Sequence, residues 1–122
     1  MVWLLGLPGI LARTGYPVVE VAGWRTRGYA GRSLAAVRGI VVHHTATPWT
    51  RPGDYPSLAL VRDGRTGVPG PLAQLGLGRS GTWYVIAAGW ANHAGVVQPS
   101  LEATHADPAV TELAERAVGH PF

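Results

Sequence analysis

Gln74-Leu75-Gly76-Leu77-Gly78, then Arg79-Ser80-Gly81, then Trp83-Tyr84-Val85-Ile86-Ala87-Ala88 read as an apolar run, a turn and a second apolar run. That succession is the pattern of a β-hairpin. Working outward, Val18-Val19-Glu20-Val21 forms a short strand closed by Gly23, and Gly39-Ile40-Val41-Val42 reads as a buried strand, a brief β-branched run after glycine. Helices flank these strands. Pro8 opens a short helix over residues 8–13, with Gly15-Tyr16-Pro17 as its exit turn. A helical turn is expected from Leu34. Ser57 is placed as the N-cap of a helix over 58–62, which Asp63-Gly64-Arg65-Thr66-Gly67 ends. Residues 99–102 suggest one more short strand, and Asp107-Pro108 opens a helix running to about Val118. Helix, strand, helix, hairpin and helix in this order imply an α/β fold, a single mixed β-sheet flanked by helices.

The chain has 122 residues, the size of one domain spanning 1–122. An apolar fraction of 47% against 14% charged residues argues for a packed core and against disorder. Seventeen glycines and ten prolines demand many turns. All ten basic residues are arginine, so Schiff-base chemistry, a lysine general base and a phosphate-loop lysine are excluded. Cysteine is absent, which excludes thiol catalysis, thiolate metal sites and disulfides. Five histidines, seven carboxylates and the hydroxyls remain for chemistry.

The net charge of +3 reflects scarce acids more than a dense basic patch. Arg25, Arg27, Arg32 and Arg38 form a loose cluster interleaved with Trp24 and Tyr29, but no nucleic-acid module surrounds it, and no nucleic-acid partner is expected. The apolar start of the chain has no basic residue before it, is interrupted by Pro8 and ends at Arg13, unlike a secretory signal. It also falls short of the ~20 apolar residues of a membrane span. The expectation is a monomer without its own export signal.

Chemistry concentrates in Ile40-Val41-Val42-His43-His44-Thr45-Ala46-Thr47, an apolar run that ends in two imidazoles and a hydroxyl. Consecutive strand residues face opposite ways, so His43 and His44 do not bind one metal together. Neutral imidazole is the commonest protein metal ligand, and a catalytic zinc takes three protein ligands plus an open position. Further ligands must then come from distant positions, with Glu102, His93, His105, Asp107 and His120 as candidates. A His-His pair on its own is more often structural than metal-binding.

Four blocks supply context: Val41-Val42-His43-His44-Thr45-Ala46; Gly67-Val68-Pro69-Gly70-Pro71-Leu72-Ala73-Gln74; Gly78-Arg79-Ser80-Gly81-Thr82-Trp83-Tyr84-Val85-Ile86-Ala87-Ala88-Gly89; and Asn92-His93-Ala94-Gly95. Together and in this order they resemble the zinc-dependent N-acetylmuramoyl-L-alanine amidases, the group that contains phage lysozyme-type amidases and peptidoglycan recognition proteins. The likeness is greatest to amidases of GC-rich bacteria and their phages. It runs from about residue 18 to residue 95, while 96–122 diverge.

The resemblance implies an amidase-like mixed sheet with zinc (Zn2+) at one edge and an abbreviated C-terminal part. It implies His43 as a zinc ligand and His120, in Gly119-His120, as another. Ser100-Leu101-Glu102-Ala103 is similar to the family segment that carries the catalytic base, which makes Glu102 the catalytic candidate. Thr45, Asn92 and His93 become substrate-binding residues, with Trp49 and Trp90 as sugar-stacking candidates and Trp83-Tyr84-Val85-Ile86 as core and sheet edge. The family's third ligand, an Asp or Cys beyond the Gly-His pair, has no counterpart before Phe122, so that position is either taken by Asp107 or His105 or is missing. The implied partner is peptidoglycan or a muropeptide, and the implied activity is bacteriolytic, as in a phage endolysin held in the cytoplasm until its release to the cell wall. The alternative readings are a non-catalytic peptidoglycan-binding module and an inactive, shortened amidase.

Overall fold

A computed structural model describes residues 1–45 and 47–92. Its elements in chain order are α1 (Leu7–Ala12), β1 (Val18–Glu20), a 3-10 turn (Tyr29–Gly31), α2 (Leu58–Asp63), β2 (Gly64–Arg65), β3 (Val68–Pro69), β4 (Leu75–Leu77) and β5 (Trp83–Val85). The architecture is mixed α/β, with short helices and a small mixed sheet. Strand β5 is its middle member, in the order β1-β5-β4. β1 runs parallel to β5, pairing Val18 with Trp83 and Glu20 with Val85. β4 runs antiparallel to it, pairing Leu75 with Val85 and Leu77 with Trp83.

Both faces of β5 are covered. Leu7 and Leu11, one turn apart on α1, pack with Trp24, Val85 and Ala88. The other face gathers Val61 of α2 with Val21, Ile86 and Ala87, and Tyr84 packs against that cluster. Val85 to Ala88 are fully buried. A strand buried on both faces has no use for polar residues at alternate positions, which is why its sequence is an unbroken apolar run. The faces alternate through Trp83, Tyr84, Val85 and Ile86 and then slip, because Ile86 and Ala87 share a cluster. The hydrogen bonds give the cause: the Ile86 and Ala87 amides both donate to the Gln74 carbonyl, at 2.8 and 3.2 Å. Two residues facing one are the signature of a β-bulge.

Beyond the bulge the chain continues to bind its neighbours. The Ala88 amide donates to the Trp24 carbonyl at 2.8 Å, and the Leu4 amide donates to the Ala88 carbonyl at 2.8 Å. The Arg27 guanidinium reaches the Ile86 carbonyl at 2.8 Å, where burial lowers its pKa from the ordinary arginine value. Arg25 lies over the Trp24 ring and Arg32 over Trp90. Three members of the arginine cluster are therefore engaged in the fold. Gly28 and Gly89 touch backbone to backbone here, and a side chain on Gly28 would collide with the Arg32 carbonyl.

Several expectations need correction. Residues 39–42 form no strand. Ile40, Val41 and Val42 are exposed, Val42 at 65%, and none of their backbone groups pairs with another described residue. A β-branched run becomes a strand only where it pairs with a neighbour, and the described sheet, β1-β5-β4, does not include this run. Leu34 makes an antiparallel bridge with Val2 and starts no helical turn. Ser57 does precede α2, but its hydroxyl caps no amide and pairs with Thr47 Oγ1. Trp83-Tyr84-Val85 lies in the middle of the sheet, not at its edge. A small hairpin of β2 and β3 follows α2, turning through Gly67 at φ +78°. The strand expected at 99–102 and the helix expected from Asp107 lie outside the described residues. Among the described residues, no helix is long and apolar enough to cross a membrane.

Leu11 is 1% exposed and contacts the sheet through α1. Leu11→Ala removes its side chain from a packed site and lowers unfolding stability by about 2–5 kcal/mol. Urea titration followed by tryptophan fluorescence reads this directly, and a loss below about 1 kcal/mol contradicts the packing described.

Candidate functional site

The segment from Thr47 to Ser57 is rich in proline and glycine and has no regular structure of its own. It is held by the hairpin. On β4 and just after it, Gly76 and Gly78 stand two residues apart and so point to the same side. Tyr55 and Asp54 occupy the space their missing side chains leave: a Cβ on Gly76 would strike the Tyr55 ring, and one on Gly78 would strike the Asp54 carboxylate. Tyr55 stacks on Tyr84 of β5, with ring centroids 5.2 Å apart and planes 24° from parallel.

Asp54 is the centre of this attachment. Its Oδ1 accepts the Ser80 amide at 2.6 Å, its Oδ2 accepts the Tyr84 hydroxyl at 2.8 Å, and its carbonyl accepts the Arg79 amide at 2.9 Å. The Arg79 guanidinium turns back to the same segment and donates to the Arg51 and Gly53 carbonyls. These bonds set the electrostatics. The Ser80 amide, then the Tyr84 hydroxyl, hold the Asp54 carboxyl below the usual carboxylate range, with Arg79 adding a smaller push the same way. Tyr84 is pushed up, first by its bond to Asp54. Burial raises the Tyr55 phenol.

A cleft of about 220 Å³ opens between this segment and the hairpin, lined by Thr45, Thr47, Trp49, Asp54, Tyr55 and Arg79 among others. Trp49 is 86% exposed at its margin. Thr45 directly follows His43 and His44, so the cleft adjoins the histidine pair. All three of these residues are exposed.

The remaining candidates fall elsewhere. Asn92 is absent from the cleft lining; its Nδ2 donates to the Pro69 carbonyl at 2.8 Å and its amide to the Pro71 carbonyl at 2.7 Å. His93, Glu102, His105, Asp107 and His120 lie outside the described residues. Trp90 is 41% exposed and meets Tyr29 edge to face. Exposed imidazoles at 43 and 44 have the donor chemistry zinc requires, so His43 fits a first ligand position. Among the described residues, no three metal-ligating side chains converge, and the rest of the implied ligand set falls beyond them.

No protein-family model, no curated protein and no solved structure matches this chain. The site therefore rests on residues and geometry.

Asp54, Tyr55 and Arg79 were not singled out from the sequence. The available signal was Gly76 and Gly78, since glycines on one side of a strand mark a close approach.

The sign of the Asp54 effect follows from its lowered pKa. Its contribution is fully present above the pKa of an unfolded-chain aspartate and is lost as pH falls through the lower folded-state value. Acidification from about pH 7 to about pH 2 should therefore release the 47–57 segment, and Asp54→Asn should remove that part of the pH dependence. Unfolding midpoints measured across this range for both proteins provide the check. Parallel curves contradict the assignment.

Proposed function

We propose that this chain is a zinc-dependent N-acetylmuramoyl-L-alanine amidase, which hydrolyses the amide between the lactyl group of N-acetylmuramic acid and L-alanine in peptidoglycan. One observation carries the reading: His43 and His44 are exposed, and Thr45, the residue directly after them, stands in the wall of a cleft. The ordered series of sequence blocks through Asn92-His93-Ala94-Gly95 supports it.

In this reading His43 and His120 hold zinc, and His105 or Asp107 completes the set. Bound zinc supplies a Lewis acid for the amide carbonyl and lowers the pKa of water toward ~7. The chain's own residues do the rest. Glu102 accepts the proton of the attacking water and returns it to the leaving amine. Thr45 donates its hydroxyl to the substrate at the cleft wall, and His93 lines the groove. Asn92, whose Nδ2 is bonded to the Pro69 carbonyl, is the remaining substrate-binding candidate. The site of action is the bacterial cell wall, in the manner of a phage lysin.

A second reading is a peptidoglycan-binding module that does not cut. The exposure of Trp49 beside a cleft favours it, because recognition through such a surface needs no metal.

Zinc content and wall hydrolysis separate the two. The purified chain should hold close to one zinc and should release new L-alanine amino termini from cell walls. His43→Ala should lower hydrolysis by more than about a hundredfold, since loss of a residue that merely supports a metal ligand already costs 10–100-fold. Wall binding without zinc and without new amino termini overturns the enzyme in favour of the binding module.

A further inference from the structure

We propose that the surface built by residues 1–12 docks on anionic lipid, so that the protein lies on a negatively charged membrane through the outer face of α1 and the arginines beside it. The proposal is independent of the amidase reading and involves no metal.

Residues 1–12, Met-Val-Trp-Leu-Leu-Gly-Leu-Pro-Gly-Ile-Leu-Ala, hold no charged side chain and no hydroxyl. A helix on the surface of a folded domain ordinarily sets an apolar stripe on the core and a polar face in water. α1 has the stripe, in Leu7 and Leu11, and no polar face. Its Gly9 and Ala12 are exposed and its Pro8 and Ile10 half-buried, while just ahead of it Leu5 is 54% exposed and Met1 entirely so. Neighbouring segments extend this surface. Leu34 bridges to Val2, and the residues that follow it, Ala35, Ala36 and Val37, are exposed. Trp90, 41% exposed, adjoins through Gly89, whose backbone lies against the Trp3 ring. Apolar surface gathered in this way marks an interaction site.

Charge selects the partner. Residues 1–53 contain six arginines, at 13, 25, 27, 32, 38 and 51, and one carboxylate, Glu20. Arg27 bonds inward to the Ala22 and Ile86 carbonyls, and Arg25 stands 3.8 Å from Glu20. Arg13, Arg32 and Arg38 are exposed, and among the described residues none of the three pairs with a carboxylate. They border the apolar surface: Arg13 ends α1, Arg32 lies over the Trp90 ring, and Arg38 follows Val37. An apolar face bordered by arginines and tryptophan is the composition of a surface that sits at the headgroup level of a bilayer. At six residues α1 is about 9 Å long, so it lies in the interface and does not span it. A nucleic acid would engage the arginines and leave the apolar face wet, and a neutral bilayer would engage the face and leave the arginines idle. Anionic lipid engages both.

Co-sedimentation with vesicles tests this on the full chain, comparing equimolar phosphatidylglycerol and phosphatidylcholine with phosphatidylcholine alone. Binding should saturate on the anionic vesicles and be at least about tenfold weaker on the neutral ones. Arg13→Gln should weaken it by about fivefold, the effect of one arginine near an anionic surface. Leu5→Gln should weaken it by about fivefold or more, through lost apolar burial in the bilayer. Both variants should melt at the wild-type temperature, because both side chains are exposed. Absence of binding to the anionic vesicles overturns the proposal, as does equal binding to the neutral ones or undiminished binding by Leu5→Gln. Self-association of the lipid-free chain that Leu5→Gln abolishes overturns it by making a second copy the occupant. Binding to a DNA duplex more tightly than to the vesicles, unchanged by Leu5→Gln, overturns it by making the surface a nucleic-acid site. Zinc content and wall hydrolysis enter none of these readings, so the membrane surface and the amidase stand or fall separately.

Discussion

Strand β5 is the constraint on which the rest of the structure depends. Its amides and carbonyls pair with β1 on one side and β4 on the other, and its side chains are covered on both faces. The strand itself spans three residues, and the buried path continues to Ala88 through bonds to Gln74, Trp24 and Leu4. A small domain buries a limited share of its surface, so one doubly covered strand supplies much of its core. α1 is too short to persist in isolation and is helical because Leu7 and Leu11 have this surface to cover. α2 depends on it through Val61 in the same way.

From that strand the structure builds outward to the cleft. β4 is aligned by β5, and its two bare positions let the 47–57 segment lie close to the sheet. Tyr84, a β5 residue, both stacks on Tyr55 and bonds to Asp54. The loop that carries Trp49 is thus attached to the core strand through a phenol and a carboxylate. This gives an irregular segment a defined position, as a binding surface on a loop requires. Thr45, directly after the histidine pair, stands in the wall of this cleft.

The parts of the fold visible in the sequence were those set by local pattern. The hairpin follows from two apolar arms around Arg79-Ser80-Gly81, and α1 from Pro8 at its start. The 39–42 run misled because composition describes a strand's preferences and says nothing about which neighbour it will pair with. Ser57 misled in the same way: its hydroxyl had a choice between a helix amide and Thr47, and tertiary contact decided. The Asp54 attachment was invisible because its partners, Ser80 and Tyr84, are distant in sequence and ordinary in type. Of the residues nominated for chemistry, Thr45 reached the cleft and Asn92 bonds to the carbonyls of Pro69 and Pro71. His93, Glu102 and His120 lie beyond the described residues.

The central claim is that a metal held through His43 sits beside the cleft marked by Trp49. Titration with cobalt(II) as a paramagnetic stand-in for zinc, read by NMR on the side-chain resonances, tests it most directly. The account predicts saturation near one equivalent, with the Thr45 and Trp49 signals broadened before those of the core residues Trp24 and Leu11. Non-saturable binding, or broadening that spares Thr45 and Trp49, would contradict it.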